Sequence, residues 1–312
     1  MRPVRTILWI LLIVAGSAQA QAQGAYVGIA GFGFLKVSAS ARPSALAGAF
    51  VAVPGDLSGL RWNPALGATL EGRQGVLSYT DYLVDTQAGL LGAGWPVERV
   101  GNVGVSLFYM SYGDMPRTSG QGDADPEGSF GASDVSVECT LSRWVRPRVA
   151  VGAGLKAVFS AIDTYSSDAY ALDLGVFYCT PLRGLSLGAS AANLVGAVRK
   201  GYTSEHKDEL PVSFKLGFSH AVAHLPLTLV GQWQGSTNDS SPSFALGGEF
   251  TIAESLFLRT GYQDAASDVD DSGRAGWSMG GGVRWRSYRF DYAHSTYGAL
   301  GGVHRVSFAG SL

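Results

Sequence analysis

Two stretches carry the Gly-x-Ser-x-Gly spacing that sets a nucleophilic serine on a sharp strand-to-helix turn: Gly184-Leu185-Ser186-Leu187-Gly188 and Gly276-Trp277-Ser278-Met279-Gly280. Both fall in runs of alternating polarity with Gly and Ser on one side, so small side chains facing a narrow interior explain them better than an elbow does. A triad built on Ser186 or Ser278 would also need an oriented histidine. His304 has the opposite parity to Arg305 and points to the other face. His220 and His224 stand at a turn between strands rather than on a helix, so they do not form a metal pair. The glycines Gly28, Gly31 and Gly33 reverse the dinucleotide-binding spacing. Asp264, Asp268, Asp270 and Asp271 miss the helix-loop-helix calcium pattern and read as a solvated loop. No catalytic residue, metal or cofactor is expected.

The elements around these residues are short β segments. Strands are expected near 74–81, 86–95, 101–110, 132–144, 148–160, 168–179, 184–192, 210–219, 225–235, 242–252, 255–263, 275–285, 287–294 and 301–309. One face of each is apolar and the other carries glycine, small polar residues and some charges. In a soluble two-sheet sandwich those charges would face the shared core. In a membrane barrel they line a polar lumen while the apolar face meets lipid. The expectation is therefore an all-β protein, a 14-stranded antiparallel transmembrane barrel over 73–312 with a short helical plug at its N-terminus. Connections after even-numbered strands are brief and often basic, such as Arg146-Pro147 and Arg286, whereas those after odd-numbered strands are longer, as expected of periplasmic turns and outer loops.

The N-terminus fits this location. Arg2 and Arg5 precede the apolar stretch Ile7 to Gly16, and Ala18-Gln19-Ala20 offers small residues for cleavage, so 1–20 is expected to be a secretory signal. The apolar run is shorter than the ~20 residues a single helical anchor needs. Without Arg2 and Arg5, the 23 basic residues fall to 21 against 25 acidic ones, a formal charge of -4. That balance excludes nucleic acid as an evident partner. The 43 glycines and the 46% hydrophobic content suit a tight lumen inside a lipid-facing wall. Cys139 and Cys179 fall on opposite faces of their strands with another strand between them, so two free thiols are expected rather than a disulfide.

Residues 21–72 do not alternate. Asp56 can cap the turn that follows it, and Asn63-Pro64-Ala65 places a cap before proline at the first helical position. This segment is too small to fold alone and reads as a plug, which an Arg42–Asp56 contact would seat. On the lumen parity, Glu138, Lys156 and Asp173 follow one another on successive strands, and Glu249, Arg259, Arg284, Asp291 and Arg305 do so later, with Arg289 nearby. Opposite charges on adjacent strands limit the cost of enclosing ions.

Several ordered segments resemble the PorV/PorQ family of bacterial outer-membrane proteins, whose barrels look like those of FadL-type fatty-acid transporters. They are Phe34-Leu35-Lys36, Ala41-Arg42, Gly48-Ala49-Phe50-Val51-Ala52-Val53, Asp56, Trp62-Asn63-Pro64-Ala65, Tyr112-Gly113, Gly154-Leu155-Lys156, Ala171-Leu172-Asp173-Leu174-Gly175, Asn193, Leu210-Pro211 and His304-Arg305-Val306-Ser307. His224-Leu225-Pro226-Leu227 resembles the PorQ-like side. The resemblance implies an outer-membrane scaffold or cargo-binding component of type IX protein secretion and surface attachment, with no covalent chemistry of its own. Its partners would be outer-membrane lipid and secreted cargo or attachment-complex proteins, met through the loops that carry Tyr112, Asp114, Tyr202 and Glu205. The competing reading is FadL-like passive transport of a hydrophobic small molecule. A third is a structural barrel in a cell without type IX machinery.

Overall fold

A computed structural model describes residues 31–118, 128–202, 210–237, 241–264 and 275–312. The signal stretch, Gly28, Glu205, Asp268, Asp270 and Asp271 lie outside them. The strands are β1 (Gln74–Asp81), β2 (Gln87–Val97), β3 (Gly101–Pro116), β4 (Ser129–Arg146), β5 (Val149–Ile162), β6 (Tyr165–Cys179) and β7 (Leu185–Lys200). They continue as β8 (Ser213–Ala221), β9 (Leu227–Ser236), β10 (Ser243–Ile252), β11 (Leu256–Gln263), β12 (Trp277–Trp285), β13 (Tyr288–Thr296) and β14 (Gly302–Ser311). Each pairs antiparallel with the next, and β1 pairs with β14 from Gln74 opposite Ser311 to Asp81 opposite His304. This closed cylinder leaves no sheet edge to satisfy in lipid.

The period-two pattern decides which way each side chain points. On β1, Val76, Ser78 and Thr80 are buried while Leu77 and Tyr79 face out. Around the exterior, Leu91, Leu107, Leu155, Leu246, Leu258 and Phe290 continue the apolar band, with Trp95, Trp285 and Tyr288 near the turn end. Glu249, Arg259 and Asp291 point inward and are buried, at 7%, 4% and 1% exposure. Cys139 is exposed on the lipid side and Cys179 half-buried, and both are free.

Three strands run past the alternation that announced them. β3 and β4 continue to Pro116 opposite Ser129 through a bulge between Ser111 and Asp114. There side chains on both faces are half-buried or exposed, and polarity no longer alternates. β7 extends beyond Ala192 to Lys200, but Asn193 and Val195 adopt positive φ of 60° and 50°, and its register with β6 shifts. Each irregularity resets which face a side chain meets, so the sequence pattern breaks although the strand does not.

The N-terminal segment lies inside the barrel. It forms 3-10 turns at Gly33–Lys36, Leu57–Arg61 and Pro64–Thr69 and a short helix, α1 (Ala41–Ala45). Its backbone approaches the wall closely enough to require glycine there. A β-carbon at Gly152 would overlap the Pro64–Ala65 peptide, and one at Gly261 would lie 2.6 Å from the carbonyl carbon of Leu46. The later part of the segment, from Leu57 to Thr69, occupies the turn half of the barrel, with Leu57 and Leu60 against Gly94 and Gly104, whereas its earlier part reaches the loop half, where Ser38 meets Arg305 and Phe34 stacks on Phe108 at 5.9 Å between centroids.

Candidate functional site in the barrel lumen

A closed ring of alternating charges joins the segment to the wall. Arg42 grips Glu249 with Nε to Oε2 and Nη2 to Oε1, both 2.8 Å, and its Nη1 donates to Asp56 Oδ2 at 2.9 Å. Asp56 Oδ2 also accepts from Arg289 Nη2 at 2.5 Å, and Arg289 Nε donates to Asp291 Oδ2 at 2.6 Å. Arg259 then bridges Asp291 Oδ1 at 2.7 Å and Glu249 Oε2 at 2.5 Å, which returns the circuit to Arg42. Three arginines and three carboxylates balance, and the least enclosed side chain is 19% exposed. Such an arrangement offsets the desolvation of its members, because every charge has opposite charges on both sides.

Local structure fixes the two members that come from the segment. Asp56 caps its turn, with Oδ1 accepting from Ser58 N at 2.9 Å and from Ser58 Oγ at 2.6 Å. Burial pushes the Asp56 carboxyl up, but Arg289 and Arg42 outweigh it and hold the group well below the usual carboxylate range. Asn63 caps the next turn through Ala65 N at 3.0 Å, and its amide donates to Val51 O and Val176 O, both at 3.0 Å. Pro64 takes the first helical position, and Ala65 is fully buried beneath β5. Gly48, at φ 81°, presents its carbonyl to Trp62 Nε1 at 2.8 Å.

The structure divides the remaining predicted charges differently from the sequence expectation. Lys156 Nζ binds Asp173 Oδ2 at 2.8 Å and Asn193 Oδ1 at 3.0 Å. Glu138 stands opposite Lys156 in register yet does not pair with it, and both its oxygens lack a hydrogen-bond partner. Arg284 has lumen parity but is exposed at the turn end, where it donates to Glu254 O and lies 5.5 Å from the Phe257 ring. It does not belong to the lumen network. Arg305 is buried, but donates to Ser38 O at 3.0 Å and Ser295 Oγ at 3.1 Å rather than to a carboxylate.

Two of the expected loop contacts also turn inward. Tyr112 lies on β3 and donates to Asp134 Oδ2 at 2.5 Å, while Tyr202 meets Ser160, whose hydroxyl also meets Asp134. Asp114 alone of the described trio is exposed. Ser278 Oγ donates to Ser295 Oγ at 3.0 Å, and His304 Nδ1 meets the Tyr292 hydroxyl at 2.7 Å on the outside.

In the loop half, between the segment and the wall, lies a cavity of about 330 Å³ reached by Leu35, Arg61, Trp62, Asn193, Lys215 and Arg305. Sequence reasoning missed Lys215, Gln232 and Gln234 as lining groups. Their signal was present: each is a long polar side chain on the lumen parity of a mostly apolar strand. Gln232 Oε1 additionally accepts from Phe50 N at 3.2 Å and Val51 N at 3.0 Å.

Comparison with solved structures places this architecture among outer-membrane barrels. The Pseudomonas putida toluene transporter TodX superposes with a TM-score of 0.63 at 13% identity, covering 89% of this chain and 99% of that one. The Ralstonia pickettii toluene transporter TbuX gives 0.59 at 15% identity, over 90% and 97% of the two chains. A Pseudomonas aeruginosa FadL homologue gives 0.56 at 14% identity, over 88% and 98%. At these identities the likeness is one of fold. The chain is a closed antiparallel outer-membrane barrel of FadL-like fold. No family profile matches it, and no curated protein matches it by sequence. The PorV/PorQ resemblance thus has no support from either comparison.

Proposed function

We propose that this barrel passes a small hydrophobic molecule across the outer membrane without covalent chemistry. The FadL-like fold supports the reading, and the observation that carries it is a seam in the wall. Among the described residues, β7 pairs with β8 only as far as Ala192 opposite Ser213, whereas its remainder, to Lys200, continues along β6. The lumen cavity reaches this seam, because Asn193 and Ser213 line both. Val198 and the buried Leu210 give it an apolar edge. Along the axis, the turns at Leu57–Arg61 and Pro64–Thr69 and the charge ring fill the turn half. A molecule entering from the loop end therefore has its easiest exit sideways.

The test is a reversible crosslink across the seam. A β-carbon at Gly196 would lie 3.1 Å from that of Leu210, close enough for a bridge after a small adjustment. With Cys139 and Cys179 replaced by serine, the G196C/L210C variant should take up toluene into cells when reduced and lose that uptake when oxidised. Undiminished uptake in the oxidised form would refute the sideways route. Equal uptake with and without the protein would refute transport itself.

The tightly anchored segment favours one second reading, a static scaffold for cargo or attachment proteins of type IX secretion. Under it, such proteins co-purify with the barrel from native membranes; their absence there counts against the scaffold.

A further inference from the structure

Between β4 and β7 the turn end of the barrel exposes one sign of charge. Arg143, Arg146, Arg148 and Arg183 are all exposed there, and none forms a salt bridge among the described residues. The stretches that hold them, 139–153 and 174–192, contain no Asp or Glu, and neither does the next turn at 222–226. The acids of these strands, Asp134, Glu138, Asp168 and Asp173, are buried farther towards the loops. Glu98 on the preceding turn and Glu71 at the end of the segment have Arg99 and Arg73 close by in the chain. Cys179 N donates to Arg148 O at 2.9 Å, which ties the β4–β5 turn to the end of β6 and joins the arginines into one patch. Arg143 shares its face of β4 with Cys139 and Leu141, both exposed, and stands opposite Val151 in register. It therefore leaves the wall on the lipid side, at the foot of an apolar surface that Tyr178 and Leu187 continue across β6 and β7. At the loop end, by contrast, Arg117 and Arg199 are each paired, with Asp163 and Asp168.

From this patch we infer that the barrel binds an anionic phospholipid in the leaflet at its turn end, with the lipid phosphate held by Arg143, Arg146, Arg148 and Arg183. Residue type supports the choice: the patch is built from arginine without lysine, and the planar guanidinium fork matches phosphate oxygens with paired, charge-assisted hydrogen bonds. Position selects a lipid over other anions. Arg143 lies where the apolar wall ends, so an acidic protein or a polyanion in the aqueous space reaches it only by displacing headgroups. A phospholipid already has its phosphate at that level, with its acyl chains against Leu141, Val151 and Leu187. The bound lipid fixes the depth at which the turn end sits in the membrane.

The experiment titrates the full-length barrel, purified in a neutral detergent, with phosphatidylglycerol and with phosphatidylcholine of identical acyl chains, and counts bound lipid by native mass spectrometry. Each basic group near an anionic surface is worth roughly fivefold in affinity, so engagement of two or more arginines gives an expected preference for phosphatidylglycerol of at least roughly tenfold. Rising ammonium acetate should erode it. The quadruple variant R143Q/R146Q/R148Q/R183Q should bring the two lipids to within about twofold of each other, whereas R284Q/R286Q, elsewhere on the same rim, should keep the preference. If the quadruple variant fails to fold, Arg148→Gln and Arg183→Gln, both in turns, must each lower the preference several-fold. Equal affinity for the two lipids overturns the site, and so does a preference that survives loss of the four arginines. Inorganic phosphate is the remaining arm: an excess should leave the lipid bound, and displacement at concentrations matching the lipid would show a site for the free ion instead. Uptake is not the readout, so failure of the transport reading leaves this result untouched.

Discussion

Replacing Arg42 with methionine tests whether the charge ring holds the N-terminal segment in the barrel. The substitution keeps most of the side-chain volume but deletes the three hydrogen bonds that Arg42 makes to Glu249 and Asp56. Arg259 and Arg289 then face Asp56, Glu249 and Asp291, so a net negative charge remains enclosed. Breaking a buried ion pair in this way costs about 3–5 kcal/mol. The lower end applies here, because Glu249 keeps Arg259 and Asp56 keeps Arg289. About 3 kcal/mol corresponds to a roughly hundredfold rise in the population with the segment undocked. Native-state hydrogen exchange of the amides of Leu46 to Val53 in detergent would report it, together with protease nicking of the segment. Adding Glu249→Gln restores neutrality and should recover part of the loss, a coupling of about 1–3 kcal/mol. Strictly additive effects of the two substitutions, or unchanged exchange in Arg42→Met, would refute the ring as the anchor.

Two further substitutions probe the same wall from its two faces. Gly152→Val should expel or loosen the turn at Pro64–Thr69, seen as faster exchange there with the barrel still closed, because the new side chain would occupy the space of the Pro64–Ala65 peptide. Leu246→Arg puts a charge on the lipid side of β10, where Leu246 is 64% exposed; folding into lipid vesicles should weaken by about 2–4 kcal/mol if that position lies near the midplane, measured by denaturant titration.

The fold was legible in the sequence because a barrel strand writes its two environments into alternate residues. Strand number and facing follow from that alone, as Glu249, Arg259 and Asp291 illustrate. Parity does not report depth, however. Arg284 and Arg259 both have lumen parity, yet one is enclosed and the other sits at the rim where β12 meets its turn. Nor does parity report pairing. Glu138 and Lys156 are register neighbours, but Asn193, in a backbone conformation the sequence does not announce, draws Lys156 to Asp173 instead. Tyr112 and Tyr202 looked like loop residues because alternation fades where strands leave the membrane; their hydroxyls return to the lumen at Asp134 and Ser160. The Arg42–Asp56 contact could be anticipated, but its extension through Arg289, Asp291, Arg259 and Glu249 depends on closure of the barrel.

The ring and the seam together determine where this barrel can yield. Withdrawing the segment along the axis would break Arg42 from Glu249, Asp56 from Arg289, Gln232 from the Phe50 and Val51 amides, and Asn63 from Val176. These contacts couple through buried charges, so they resist being lost one at a time. At the seam, by contrast, β7 past Ala192 has no ladder to β8 among the described residues, and the tie across it there is Asn193 Nδ2 to Pro211 O, at 2.8 Å. Local opening follows the fewest enclosed contacts. Asn193→Ala should therefore raise uptake through the barrel without undocking the segment. Hydrogen exchange at Val51 that rises in parallel with uptake would show instead that the two openings are one event, and the sideways route would lose its basis.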